Sequence, residues 1–203
     1  MERTENQITV RGSLQQLPQF SHENHGRRFC RFSLEVERLS GTVDLLPVIV
    51  RQELLGELDP CAGEMLLVSG EIRSHNVRKE DGRHLQIFLF ADQIRAEDGE
   101  PMNEVTVTGN LCRAPVLRRT PLGRDICDLM LAVPRAFHRA DYLPCILWGR
   151  TAQEAACCHT GDCITIRGRL QSRLYNKVTD CGTESRVAYE ISAMNADIPC
   201  PTD

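Results

Sequence analysis

The sequence predicts an all-β chain made of two tandem copies of one five-stranded barrel, each with a short helix between its third and fourth strands. Three observations carry this. Residues 162–177, DCITIRGRLQSRLYNK, alternate at period two. Ile164, Ile166, Gly168, Leu170 and Leu174 fall on one face, and Thr165, Arg167, Arg169, Gln171, Arg173 and Tyr175 on the other, as in a long half-buried strand. Gly168 stands where a barrel strand bends. The second observation is an internal repeat. QITVRGSLQQLP (7–18) returns as EVTVTGNLCRAP (104–115), an offset of 97 that persists through FSLEV (32–36) and LMLAV (129–133). The third is that both copies give the same order of elements.

The first strand spans 8–14 in copy one and 105–112 in copy two, each short, β-rich and closed by a turn at proline. The second spans 29–38 or 126–135. A hairpin leads to the third, 44–51 or 141–148. A helix-like piece follows at 52–58 or 150–158. The fourth strand spans 64–74 or 162–175, where the offset becomes 98, and the fifth 85–94 or 187–196. In the fifth, residues 84–94 match 188–198. Five strands with a helix after the third is the element order of an OB-fold, a small Greek-key barrel. Two separate β-sandwiches are the other candidate, but seven strands do not fit each copy. Residues 95–103, RAEDGEPMN, read as a polar linker, dividing the chain into units 1–98 and 103–203. Lys79 to Arg83 reads as a hairpin turn around Asp81-Gly82.

Composition narrows the function classes. The 203 residues are 41% hydrophobic, without an apolar run long enough to span a membrane and without a signal-peptide core at the N-terminus. Ten irregularly spaced cysteines, several in apolar strand patterns (Cys127, Cys145, Cys163), fit a reduced cytoplasmic protein. The net charge of −4 is unevenly spread: residues 1–100 carry −5 and residues 101–203 carry +1. A surface for a polyanion therefore belongs to the second copy. Lys79 and Lys177 are the only lysines, so the cations are nearly all guanidinium groups. Arginine suits phosphate forks and base stacking, and codon bias produces the same excess.

The second copy concentrates rings and cations. In its third strand Tyr142, Pro144, Ile146 and Trp148 share one face, leaving Leu143, Cys145 and Leu147 for the barrel interior. Phe137 lies in the preceding hairpin and Tyr175 ends the fourth strand. Around them stand Arg135, Arg139, Arg150, Arg167, Arg169, Arg173 and Lys177. Four of the chain's ten aromatic residues gathered among cations is the chemistry of an unpaired nucleic-acid strand, with π-faces for bases and cations for phosphates. A solvated strand edge, with Tyr142 and Trp148 capping the core, accounts for the same residues one at a time.

The second copy resembles bacterial single-stranded DNA-binding proteins nearly end to end. Val105 to Leu111 (VTVTGNL) resembles the family's opening strand, 145–153 (CILWGRTAQ) its segment leading into the helix, and 160–173 (TGDCITIRGRLQSR) its fourth strand. The resemblance implies that Phe137, Tyr142, Trp148 and Tyr175 stack bases while Arg135, Arg150, Arg167, Arg169, Arg173 and Lys177 track phosphates. It implies largely sequence-independent binding of single-stranded DNA in replication, recombination or repair, no enzymatic activity and no cofactor. It also implies four OB-folds per binding unit, hence a homodimer here. Strand-one edges, where exposed, can pair across chains, and the sequence leaves open which edges are free. The first copy departs: at the four ring positions it has Ser40, Leu45, Arg51 and Val77, as expected of a degenerate copy serving as scaffold or interface. The family's long acidic tail has no counterpart in DIPCPTD (197–203), so tail-mediated recruitment is not expected.

The rival reading is an OB-fold protein-interaction module of a primosome-like replication assembly, favoured by the acidic first copy. Cys157, Cys158, His159 and Cys163 invite a zinc site, but no second ligand pair has matching spacing, and no metal is expected. His22, His25 and His138 have no nucleophile in view, and Glu35, Glu37, Asp59 and Glu64 read as solvated charges.

Overall fold

The computed structural model describes residues 5–56, 58–79, 82–179 and 182–199. The turn expected at Asp81 and the tail beyond residue 199 lie outside the described residues. Barrel one comprises β1 (Asn6–Leu14), β2 (Gln19–Asn24), β3 (Arg27–Glu37), β4 (Val43–Arg51), β5 (Met65–Lys79) and β6 (Gly82–Ala96). Barrel two comprises β7 (Met102–Leu111), β8 (Val116–Arg119), β9 (Asp125–Arg135), β10 (Arg139–Trp148), α1 (Gly149–Ala155), β11 (Cys163–Thr179) and β12 (Gly182–Asp197). Each is an OB-fold of five barrel strands with one short edge strand added, β2 or β8. In barrel one β1 pairs antiparallel with both β5 and β3, and β4 pairs parallel with β6. Barrel two repeats this pattern with β7, β11, β9, β10 and β12.

The alternation that predicted the strands is the alternation that fills the cores. Ile8, Val10, Leu34, Leu46, Val48, Leu66, Val68 and Leu89 are buried in one barrel, Val105, Val107, Leu131, Leu143, Leu147, Ile164, Ile166 and Ile191 in the other. Gly168 and Gly70 occupy the same place in the two copies. At each, the ladder to the next strand shifts register by one residue. A Cβ on Gly168 would overlap the Ser192 carbonyl, and one on Gly70 the Phe90 carbonyl. We expect Gly168→Ala to lower stability by ~1–3 kcal/mol, the range for overpacking a well-packed interior, read from urea denaturation.

Several sequence expectations need correction. Leu174 does not face the interior: it is 72% exposed, because β11 and β12 run past the barrel as a long two-stranded arm. The linker is shorter than 95–103, since β6 reaches Ala96 and β7 starts at Met102. The helix expected at 52–58 is a 3₁₀ turn, Gln52–Leu55, and the one at 150–158 is Gly149–Ala155. The fifth strands match at an offset of 102 rather than 104: Val77 pairs with His84 as Tyr175 pairs with Arg186. β2 and β8 were not expected.

The strand-one edges are not left free for another chain. β1 and β7 pair with each other, antiparallel, from Asn6 opposite Val107 to Arg11 opposite Met102. This seam merges both barrels into one twelve-stranded sheet. Two buried carboxylates fasten it symmetrically. Asp44 accepts two hydrogen bonds from Arg38 at 2.6 Å each, and two more from the backbone NH and Oγ of Ser172 in barrel two at 2.7 Å each. Asp141 accepts from the Ser74 NH of barrel one at 2.7 Å and from Arg73 at 3.1 Å, with Arg135 close by. Burial alone would raise the Asp44 carboxyl, but the bonds from Arg38 and Ser172 outweigh it and hold the group below its ordinary value.

Candidate nucleic-acid interface

The outer face of barrel two is set by three registers. Tyr142, Pro144, Ile146 and Trp148 project from alternate positions of β10, with Leu143, Cys145 and Leu147 turned into the core. β10 pairs with β12 so that Ile146 lies opposite Ser192. β12 pairs with β11 so that Ser192, Glu190, Ala188 and Arg186 lie opposite Arg169, Gln171, Arg173 and Tyr175. All of these side chains therefore emerge on one side of the sheet. The rings are accessible: Tyr142 is 43% exposed, Trp148 39%, and Tyr175 half-buried. Trp148 is oriented by a hydrogen bond from its Nε1 to Ser192 Oγ at 3.3 Å. The Arg173 guanidinium lies 5.8 Å from the centre of the Tyr175 ring.

Phe137 stands apart at the tip of the β9–β10 hairpin, 90% exposed. It and His138 adopt positive φ, 61° and 53°, which turns the loop outward beside Arg139. A bulky residue at positive φ is costly.

The cations are less free than the sequence implied. Arg167 pairs with Asp197 at 2.9 Å, Arg150 with Glu154 at 2.8 Å, and Arg173 with Glu190 at 3.3 Å. Arg135 leans toward Asp141 at 3.3 Å and so belongs to the seam as well as to the face. Arg169 has no carboxylate partner among the described residues, and its Nε is buried without an acceptor. Lys177 lines a groove with Tyr175, Arg173, Arg186 and His84.

Sequence reasoning missed two residues here. Glu190, buried and bonded to Gln171 at 3.0 Å, places one acid in the middle of the arginine face. Tyr189 points the other way and donates to the Leu45 carbonyl of barrel one at 2.9 Å. Burial, then the nearby Asp44 charge, pushes its phenol up, so it stays a donor at neutral pH. The β11–β12 arm thus leans over barrel one, and the β5–β6 arm leans over barrel two, where Leu85 and Ile87 meet Pro144 across the groove.

Among the described residues no helix is long and apolar enough to cross a membrane.

Residues 102–198, nearly all of barrel two, match the model of the single-strand binding protein family. Single-stranded DNA-binding protein B of Bacillus subtilis is 38% identical over 80 residues, covering 36% of this chain and 71% of that protein. Single-stranded DNA-binding protein 2 of Listeria innocua is 36% identical over 81 residues, 36% of this chain and 51% of that protein. The single-stranded DNA-binding protein of Thermus thermophilus is 29% identical over 157 residues, 68% of this chain and 59% of that protein. The chain thus spans only about half to two-thirds of several relatives. In structure it superposes on the wild-type single-stranded DNA-binding protein from Thermus aquaticus with a TM-score of 0.77 and 24% identity, covering 99% of this chain and 96% of that one. That likeness establishes the fold.

Proposed function

This chain belongs to the single-strand binding protein family, and on that premise we propose that it binds single-stranded DNA, largely without regard to sequence, in replication, recombination or repair. The observation that carries the proposal is the shared open face of Tyr142, Trp148 and Tyr175 around Arg169, which has no carboxylate partner among the described residues. Bases stack on the rings, and Arg150, Arg167, Arg169, Arg173 and Lys177 take the phosphates, with Arg135 and Phe137 at the margin. Barrel two is the principal binding unit, and barrel one supports it across the β1–β7 seam. No step of bond making is involved: the protein acts in the cytoplasm as a binder, not an enzyme. Two chains associate to give four OB-folds.

Trp148 is the only tryptophan, so binding reports itself. Titration with oligo-dT should quench its fluorescence, and the affinity should fall steeply with salt, with a slope of about −0.7 per phosphate neutralised. An unquenched Trp148 at saturating oligonucleotide would sink the stacking model. Because Glu190 sits among the cations, Glu190→Gln should tighten oligo-dT binding about threefold, most visibly at low salt; unchanged affinity would mean that the strand does not pass over this part of the face.

The acid partners of Arg150, Arg167 and Arg173 favour a second reading, a protein-interaction module of a replication assembly. Light scattering with and without oligonucleotide separates the two. Under the proposed function, oligo-dT adds its mass to the protein species.

A further inference from the structure

Barrel one lacks rings where barrel two has Tyr142, Trp148 and Tyr175, yet its outer face is not blank. In the corrected register Phe88 and Phe90 of β6 occupy the places of Glu190 and Ser192. Phe90 joins a chain of π-contacts. Phe29 lies 6.0 Å from it, His22 stacks on Phe29 at 4.8 Å, and Arg73 lies 5.8 Å from the Phe90 ring. The rings have moved from the third and fourth strands of the barrel to its fifth strand.

Phe88 lines a groove of about 520 Å³ between this face and the overhanging β11–β12 arm. Its polar lining is unlike that of barrel two. Gln16, Gln19, Gln86, Ser21, Ser33 and, as the one cation among the described residues, Arg31 face it, with no carboxylate among the described residues. None of the three carboxamides, nor the Arg31 guanidinium, makes a side-chain hydrogen bond or ion pair among the described residues. The barrel-two groove is instead lined by Arg173, Lys177, Arg186 and His84, with Glu184 as its carboxylate. The two grooves share Leu85, Gln86, Ile87, Val187 and Tyr189, so they form one continuous tract.

One cation neutralises little phosphate charge. Carboxamides and a guanidinium, however, match base edges: glutamine gives paired bonds to adenine, and arginine to guanine. Unpaired bases expose those edges while stacking on an aromatic ring. We propose that the barrel-one groove is a base-reading subsite that favours a purine in the same strand whose phosphates and bases barrel two holds. This rests on the function proposed above and adds selectivity to it: Phe88 supports the base, and Gln19, Gln86 and Arg31 read its edge.

The test is a position scan. At roughly 4–16 nucleotides per OB-fold, an oligo-dT of about 25 nucleotides spans both grooves. Single adenine or guanine replacements are walked along it, and affinities are measured for the full chain and for a Gln19→Ala, Gln86→Ala, Arg31→Ala variant. The wild type should bind the best-placed purine about fivefold or more tighter than all-thymine, the value of one good paired contact. The variant, altered only on the surface, should bind all-thymine within about twofold of wild type and lose the purine gain. A flat scan in the wild type, or a purine gain that survives in the variant, overturns the proposal. Failure of the parent function looks different: the wild type would then not bind the all-thymine oligonucleotide at all.

Discussion

Replacing Trp148 and Tyr175 together with alanine should weaken oligo-dT binding at least about tenfold while the thermal midpoint stays near that of the wild type. Base–aromatic stacking contributes ~1–3 kcal/mol per base, so removing two rings predicts a loss of ~2–6 kcal/mol. Neither ring is part of the core, which is why the fold should survive. The salt slope should hardly change, because no cation is removed. That last readout discriminates. If the two rings only cap the barrel, the double variant loses stability and keeps its affinity; if they stack bases, the opposite happens. Intrinsic fluorescence is lost with Trp148, so the affinity of this variant is best read from a labelled oligonucleotide.

The second large effect belongs to the seam. Asp44 is 1% exposed and accepts from Arg38 and Ser172, joining β4 of barrel one to β11 of barrel two. Asp44→Ala leaves the Arg38 cation without its carboxylate, and breaking one side of a buried pair costs about 3–5 kcal/mol. The urea midpoint should fall accordingly, and the β11–β12 arm should become susceptible to protease. The pH dependence has a fixed sign. The folded carboxyl titrates below the unfolded value of about 3.9. Its contribution is therefore complete above that value and disappears as pH falls through the depressed folded value. Below about pH 4 the wild type should lose stability more steeply than Asp44→Asn does. Parallel curves would mean that Arg38 and Ser172 do not hold the charge.

Strand positions were legible wherever one face was buried. The run Ile164, Ile166, Gly168, Leu170 predicted β11 because each lies against the core. The same pattern misled at Leu174, since period two continues along a projecting arm after the barrel has ended. β2 and β8 were illegible because all but one of their ten residues are exposed, so no alternation marks them. The 97-residue offset exposed the repeat, and the two-residue slip in the fifth strand went unnoticed because an even slip keeps every side chain on its face. Tyr142, Trp148 and Tyr175 could be gathered from sequence by alternation alone. Their acid neighbours could not: Glu190 meets Arg173 across a hairpin, and Asp44 meets Ser172 at a separation of 128 residues. Phe88 and Phe90 stand on the fifth strand, at places where barrel two has Glu190 and Ser192, so the repeat itself does not mark them.

The β1–β7 ladder has an outcome for heredity and for dilution. Two separate copies joined by such an edge would come apart as concentration falls, and every substitution would appear in both. Here a five-residue connection between Ala96 and Met102 keeps the partners at a high effective concentration in any volume. Each half is also encoded on its own, so one carries Phe88 at the place where the other carries Glu190. Such asymmetry between paired barrels, which two identical self-associating single-barrel chains could not hold, is built into this one chain.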